Sequence, residues 1–251
     1  MIRAIIAPLW MAYEYLTMGL GLGVLASLCL LWLPWAMVLH MVLPRRQGQR
    51  LGRFAIRTGF RAYVAMLGAC CACRFDLDDL DTLRADEPLV LAANHPSLLD
   101  AVLIISRVPD VACVMKATLM DNPLFGAAAR LARYIRNNAP LSMILCARQE
   151  LQSGAKVLIF PESSRTSNFP MDACAPTLGL ISARADVPVQ TLCIEFSSPY
   201  LGKAWPLFRR PALPLHCRIR LGKRFPPPTD LHAFAVELET YFREELMSCH
   251  A

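Results

Sequence analysis

Residues 94–100, with the sequence Asn-His-Pro-Ser-Leu-Leu-Asp, have the types and spacing of a general base with its orienting acid. Residues five apart on a regular helix are separated by about 140° around its axis, so His95 and Asp100 meet only across a turn. Pro96 cannot continue a strand, and Ser97 is predicted to be the N-cap of a helix with Asp100 in its first turn. A carboxylate on Nδ1–H leaves Nε2 free to deprotonate a hydroxyl. The alternative is that His95 closes a turn and Asp100 caps a helix, without chemistry.

A second segment, residues 160–165, follows an apolar strand and reads Phe-Pro-Glu-Ser-Ser-Arg. The guanidinium of Arg165 has the planar fork that binds a phosphate through two parallel hydrogen bonds. Glu162 places a carboxylate beside this fixed positive charge at the end of the strand. Lys116 and Arg136 are predicted to add positive potential for an anionic head group. The alternative for Glu162 and Arg165 is a structural ion pair that closes the strand end.

These motifs resemble those of the PlsC-type lysophosphatidic acid and glycerolipid acyltransferase superfamily. Its N-H-x-S-x-x-D box is matched at residues 94–100, and its F-P-E-G-T-R box is similar to residues 160–165. A lysine followed by a G-x-x-x-x-R-like block looks like residues 116–136, although the acidic residue often seen just before that arginine is missing. An apolar V-P-V block looks like residues 187–189.

The resemblance implies that His95 is the general base and that Glu162 and Arg165 bind the acceptor. The second block would contribute phosphate-binding charge. Ser163 and Ser164 stand where the family usually has glycine and a threonine or serine. Glycine adopts a positive φ more readily than serine, so a loop of different shape is predicted here.

The predicted reaction is a direct acyl transfer from acyl-CoA or acyl carrier protein to the hydroxyl of a lysophospholipid. His95 takes the hydroxyl proton, Asp100 orients the ring, and a thiolate with a pKa near 8.5 leaves. Backbone N–H groups near Ser97 are predicted to stabilise the oxyanion, and Ser163 and Ser164 to contact substrate. No metal ion and no bound cofactor is required.

Two other interpretations remain open at this point. The first is an acyltransferase that acts on another amphiphile, such as an ornithine lipid, a glycolipid or a secondary-metabolite lipid. The second is a catalytically silent membrane-bound protein that binds lipid.

The N-terminal part is predicted to associate with a membrane. Residues 16–43 contain no Asp, Glu, Lys or Arg and are long enough to span about 30 Å of hydrocarbon. Pro34 lies inside this run and predicts a kinked helix or a re-entrant pair. A cleaved signal peptide fits poorly because the run is too long and no cleavage site follows. A buried helix of a soluble domain is the alternative.

A basic segment follows the apolar run directly. From Arg46 to Arg61 five arginines are spaced by four, three, four and four residues, so they share one helix face. A basic helix beside an apolar span favours the cytoplasmic face of the cell membrane and anionic lipid. The alternative is the solvated face of an ordinary helix. Nucleic acid is not an expected partner, because the arginines abut an apolar span and are not interleaved with exposed aromatics.

The remaining chain alternates short apolar strands with helices, which is typical of an α/β fold. The predicted architecture is a mixed sheet covered by helices, preceded by the N-terminal membrane-associated helical segment. The predicted domains are an anchor with its basic helix, residues 1–69, and an acyltransferase domain, residues 70–251. Ten cysteines scattered through apolar runs indicate a reduced chain without a zinc site. Strands are predicted near residues 71–77, 89–93, 111–115, 157–160, 189–196 and 215–221, and helices near 99–106, 122–132, 141–152, 176–185 and 231–247.

Overall fold

The computed structural model describes residues 2–85, 87–206 and 209–248. Its helices are α1 (Ile2–Val42), α2 (Arg45–Cys70), α3 (Asp100–Arg107), α4 (Ala117–Asp121), α5 (Pro123–Leu131), α6 (Pro140–Gln152), α7 (Thr177–Ala185) and α8 (Leu231–Ser248), with a 3₁₀ helix at Asp78–Arg84. Its strands are β1 (Cys73–Asp76), β2 (Val90–Ala93), β3 (Val111–Lys116), β4 (Ile135–Asn137), β5 (Lys156–Ile159), β6 (Val189–Phe196) and β7 (Leu215–Phe225).

The strands form one sheet of seven in the order β1-β7-β6-β2-β5-β3-β4. Every neighbouring pair is parallel except β6 and β7, which are antiparallel. The predicted mixed sheet is confirmed. Because β6, β2, β5, β3 and β4 all run the same way, their carboxyl ends lie along one edge, where open α/β sheets usually bind ligands.

Both faces of the sheet are covered by helices. In β2 all four residues are buried, and successive side chains enter two different hydrophobic clusters. This is why its sequence is a continuous apolar run rather than an alternating one. Side chains of α1, α2 and α3 pack against one cluster, and those of α6, α7 and α8 belong to the other.

Six predicted strands and five predicted helices are confirmed within a few residues, but three elements were missed. β4 has only three residues, Ile135–Asn137, and lies at the edge of the sheet. α4 and the 3₁₀ helix are also short, with five and seven residues. Elements of this length carry too few residues for a hydrophobic period to stand out.

α1 is one continuous helix that runs through Pro34, so the predicted re-entrant pair is wrong. It lies against the domain along much of its length. Val24 and Leu28 pack on the main core, and Ala36 is buried with Leu131 of α5. Near the start of the helix, the carboxylate of Glu14 pairs with the guanidinium of Arg210. The helix therefore docks on the domain by one face.

The opposite face of α1 is apolar and exposed. Leu16 is 68 % exposed, Leu31 72 %, Trp35 64 % and Met41 81 %. The segment Ala7–Val42 is long and apolar enough to cross a membrane by length and composition. An exposed apolar surface of this extent is uncommon on a soluble monomer and indicates an interaction surface.

Arg53 of α2 does not face a membrane or solvent, which corrects the prediction of a basic face of five equivalent arginines. Its side chain is only 4 % exposed and pairs with Glu150 at 2.7 Å and Asp110 at 2.6 Å. Its Nε also donates to the carbonyl of Ala132 at 3.1 Å. The glycine Gly52 permits this contact, because a Cβ there would lie 2.8 Å from the backbone nitrogen of Ala132. The predicted helical spacing of the arginines was right, but part of that helix face binds the domain.

The predicted division into an anchor, residues 1–69, and an acyltransferase domain, residues 70–251, stays a prediction.

Candidate active site

Asn94 extends β2 by one residue through its side chain. Its Oδ1 accepts the N–H of Ile194 at 2.7 Å, and its Nδ2 donates to the carbonyl of the same residue at 2.9 Å. The amide therefore replaces a backbone pair between β2 and β6. This fixes the point at which the chain leaves the sheet, so that His95 stands at the carboxyl edge.

His95 and Asp100 meet across the turn that the sequence predicted. Nδ1 of His95 lies 2.8 Å from Oδ2 of Asp100, whose side chain is fully buried, while the imidazole is 17 % exposed. Nε2 of His95 has no hydrogen-bond partner among the residues that the structure describes. The arrangement holds the ring by one nitrogen and leaves the other for a substrate proton.

Ser97 shapes this turn but is not the helix N-cap, which corrects that prediction. α3 begins at Asp100 after Leu99, and the hydroxyl of Ser97 accepts the N–H of Leu99 at 3.2 Å. The N–H of Ser97 donates to Oδ2 of Asp100 at 2.8 Å, and the N–H of Leu98 donates to the carbonyl of Leu201 at 3.1 Å. These N–H groups are already bonded, which argues against them as oxyanion donors.

Burial controls the protonation of Asp100. Loss of solvent raises its pKa to about 6, against the opposing effect of the hydrogen bond from His95. Oδ1 of this carboxyl group is buried and has no hydrogen-bond partner within the described part of the chain. A carboxylate without full hydrogen bonding in a dry site is costly, which is the physical reason for the raised pKa.

Phe160, which follows β5, stacks on the His95 ring. The ring centroids are 3.9 Å apart and the planes differ by 15°. The imidazole is thus held by Asp100 at one nitrogen and by an aromatic face on its side. The sequence placed Phe160 in the second motif, but gave no signal that it contacts the histidine.

Glu162 binds the loops around His95. Its Oε1 accepts the N–H of His95 at 2.9 Å and the hydroxyl of Thr166 at 2.8 Å, and its Oε2 accepts the N–H of Asp172 at 2.8 Å. Burial raises the pKa of this carboxyl group, and the three hydrogen bonds partly oppose that. Both oxygens are bonded to the protein, so the role that the geometry displays is positioning of the histidine loop.

Arg165 does not pair with Glu162, so the alternative of a structural ion pair between them is wrong. Its NH1 donates to the carbonyl oxygens of Leu201 and Gly202, each at 2.8 Å. The side chain is half-buried and makes no ion pair among the residues described. Arg165 thus joins the loop after β5 to the loop between β6 and β7.

Ser163 adopts the left-handed conformation that glycine adopts more readily, with φ 57°. The loop therefore keeps a positive φ at this position, contrary to the predicted change in shape, at the cost of strain in a residue that has a Cβ. Ser164, beside it, is half-buried, and its hydroxyl contacts the carbonyl of Arg165 at 3.3 Å.

Lys116 and Arg136 lie on the same edge of the sheet but farther along it. Lys116 is the last residue of β3, and Arg136 is the middle residue of β4. Both strands are separated from β2 by β5, and this spacing corresponds to about 10 to 15 Å. Arg136 forms a two-bond fork with Asp121, both at 2.6 Å. The hydrogen bond from Arg136 lowers the pKa of Asp121. The acid that the motif lacks next to the arginine is thus supplied by α4.

The described residues contain no group of three or more His, Cys, Asp or Glu side chains that could hold a metal ion. The absence of a metal and of a bound cofactor stays a prediction. The chemistry that this edge of the sheet supports is proton transfer by an oriented imidazole beside positive charge. An oriented base of this kind can activate a hydroxyl for direct attack on an acyl donor.

Two comparisons with known proteins found a match. A family model described as Acyltransferase matches residues 74–195, which include His95, Asp100, Glu162 and Arg165. The crystal structure of the 1-acyl-sn-glycerophosphate (LPA) acyltransferase PlsC from Thermotoga maritima matches with a TM-score of 0.64, over 90 % of this chain and 95 % of that chain. The sequence identity is 14 %, so this match shows the fold. No curated protein matches the chain.

The chain carries an acyltransferase domain over residues 74–195, as the sequence predicted, and its likeness to PlsC is one of fold. The match also confirms the predicted α/β fold with its long N-terminal apolar helix.

Proposed function

We propose that the protein transfers a fatty acyl group from acyl-CoA or acyl carrier protein to the hydroxyl of a lysophospholipid that resembles 1-acyl-glycerol-3-phosphate. Nε2 of His95 takes the proton of the hydroxyl, and the oxygen forms a bond with the thioester carbonyl carbon. The tetrahedral intermediate then loses the carbon–sulfur bond, and the thiolate takes the proton from His95. The donor loses its acyl group and the acceptor becomes an ester.

The observation that carries this proposal is the contact of 2.8 Å between His95 and Asp100. A carboxylate there stabilises the imidazolium that forms during attack and selects the tautomer whose Nε2 is a base. A positioned base of this kind contributes about 10²–10⁴-fold to the rate. Phe160 stacks on the imidazole, while Glu162 and Asn94 fix the backbone at His95 and at the strand end before it, which keeps Nε2 in reach of a bound acceptor.

The location that we propose is the cytoplasmic face of the cell membrane, with membrane lipids as partners. α1 docks on the domain by one face, through Val24, Leu28 and Ala36, and exposes apolar side chains on the other. If α1 crossed the bilayer, the parts of the domain that it contacts would have to lie in the hydrocarbon with it. The arrangement therefore favours a helix that lies in one leaflet with the sheet edge near the lipid surface.

A second candidate is transfer to a different amphiphile. Asp121 already pairs with NH1 and NH2 of Arg136, so this arginine is a weaker phosphate ligand than the motif implies. An acceptor with a zwitterionic or uncharged head would not need it.

The test uses full-length protein in vesicles with radiolabelled acyl-CoA or acyl carrier protein thioester and one acceptor at a time. The acceptors are lysophosphatidic acid, lysophosphatidylcholine, lyso-ornithine lipid and monoacylglycerol. The proposal predicts the highest kcat/KM for lysophosphatidic acid. A preference of tenfold or more for one of the others establishes the second candidate, and no ester product with any acceptor contradicts both.

A further inference from the structure

A second pair of cations lies where the loop after β5 meets the loop between β6 and β7. Lys203, which lies outside every motif, donates from Nζ to the hydroxyl of Ser167 at 2.6 Å and to that of Ser164 at 3.4 Å. Arg165, on the same loop as these serines, donates to the carbonyls of Leu201 and Gly202. Each loop thus donates hydrogen bonds from a cationic side chain to the other loop. Both positive charges therefore lie at the junction of the two loops.

This junction lies directly against the residues that carry the base. The carbonyl of Leu201 accepts the N–H of Leu98 at 3.1 Å, and the N–H of Thr166 donates to the carbonyl of His95 at 2.8 Å. A Cβ on Gly202 would lie 3.4 Å from the carbonyl oxygen of Pro96. Both loops therefore contact the turn of residues 95–98.

The positive charge at this junction is not neutralised. Neither Lys203 nor Arg165 forms an ion pair in the described part of the chain. The nearest acid in sequence to the serines, Asp172, accepts the N–H groups of Ser167 and Asn168 at 2.8 and 3.2 Å. Glu162 accepts three bonds from other groups. In contrast, Arg136 on the far side of β5 is held by Asp121.

We propose that Lys203 determines acceptor specificity by adding a second cation to the contact of Arg165 with the phosphate monoester of the acceptor, a contact that the family resemblance already implies for Arg165. This inference rests on the proposed function and assigns its head-group contact to the β6–β7 side of His95. The ammonium of Lys203, which is exposed and held by two serine hydroxyls, keeps donor capacity for phosphate oxygens. The hydroxyls of Ser164 and Ser167 add groups that hydrogen-bond an anion.

The kinetic test compares lysophosphatidic acid with monoacylglycerol as acceptors for the wild type, Lys203→Met and Lys203→Arg. Loss of a charged hydrogen bond predicts a rise of about tenfold to hundredfold in KM for the phosphate acceptor in Lys203→Met. The KM for the thioester should change less than twofold, and Lys203→Arg should recover part of the loss. The control is Lys223→Met, an exposed lysine that pairs with Glu237.

If Lys203→Met lowers the turnover of both acceptors to the same extent, the effect is structural and the proposed subsite is wrong. An unchanged ratio of kcat/KM between the two acceptors would also overturn it.

A second measurement does not depend on turnover. The chain has four lysines, Lys116, Lys156, Lys203 and Lys223, so ¹³C-methylation of lysine amines gives a small set of NMR signals. Inorganic phosphate should shift the signal that is absent from Lys203→Arg, and shift the other three much less. If the enzyme acylates no phosphate acceptor but this signal still responds alone, the proposed function fails and the subsite stands. Equal shifts of all four signals, or none, overturn the subsite.

Discussion

Glu162 holds His95 by the main chain and not by the imidazole, because its Oε1 accepts the N–H of His95 at 2.9 Å. Asp100 and Phe160 fix the ring, while Glu162 fixes the backbone from which the ring extends. The N–H of Thr166 donates to the carbonyl of the same histidine. The two motifs, 67 positions apart at these residues, thus form one unit around one residue.

Glu162→Gln should therefore lower kcat by tenfold or more and leave the KM for the acceptor nearly unchanged. The new NH₂ group faces an N–H or hydroxyl donor, and a lost hydrogen bond to a charged group costs about 1–3 kcal/mol of stability. Acyl-transfer kinetics and chemical unfolding measure the two effects. Glu244→Gln, at an exposed position of α8, is the control. A rise in acceptor KM with unchanged stability would instead mean that Glu162 binds the acceptor.

Activity should fall as the pH is lowered through about 6. The pKa of Asp100 is raised to about 6 by burial, so below this pH the carboxyl group is protonated and no longer stabilises the imidazolium. The pH profile of kcat/KM measures this fall in activity. An acid limb centred near pH 4, the ordinary range of an aspartate, would contradict this account.

Protonation of the same carboxyl group should raise the stability of the fold, although it lowers activity. Its folded pKa lies above the ordinary aspartate value of 3.8, so the native state holds this proton more tightly than the unfolded state. The stabilisation is full below about pH 4 and is lost as the pH rises through about 6. Relative to Asp100→Asn, the wild type should lose about 3 kcal/mol between pH 4 and pH 7. Unfolding measured at both pH values tests this, and a difference that does not vary with pH would contradict it.

Ser163→Gly should stabilise the protein by up to about 1 kcal/mol and retain activity. Ser163 has φ 57°, where a Cβ costs roughly 1–2 kcal/mol, and the greater freedom of glycine when unfolded offsets part of the gain. Ser164→Gly is the matched control, because Ser164 is not among the residues with positive φ and should lose about 0.5–1 kcal/mol. Thermal unfolding of both variants measures the difference, and equal destabilisation of both would refute the strain.

Arg53→Ala should lower the free energy of unfolding by about 3–5 kcal/mol, because Glu150 is left buried without its partner. The exposed Arg50, three residues earlier on the same helix, provides the control, and Arg50→Ala should change stability by less than about 0.5 kcal/mol. Chemical unfolding in detergent compares the two. Similar small losses in both would mean that α2 does not depend on the buried pair.

The sequence predicted the parts of the site that depend on local spacing. The turn that brings Asp100 onto His95 follows from a proline and a five-residue interval, and the apolar strands follow from continuous hydrophobic runs. It could not predict which partner a side chain meets across the fold. Helical spacing placed Arg53 with its neighbours, but only packing against Ala132 and Glu150 shows that it is buried. Lys203 carried no signal, because its partners lie 36 and 39 positions earlier in another loop.

The role of His95 is tested most directly by single-turnover acyl transfer from a radiolabelled thioester to lysophosphatidic acid, with the wild type, His95→Ala and His232→Ala. His232 is exposed at the start of α8 and controls for loss of a histidine. With all three proteins folded to the same extent, we expect His95→Ala to be slower by about 10²–10⁴-fold and His232→Ala to match the wild type. Transfer by His95→Ala within tenfold of the wild-type rate would contradict the assignment of His95 as the base.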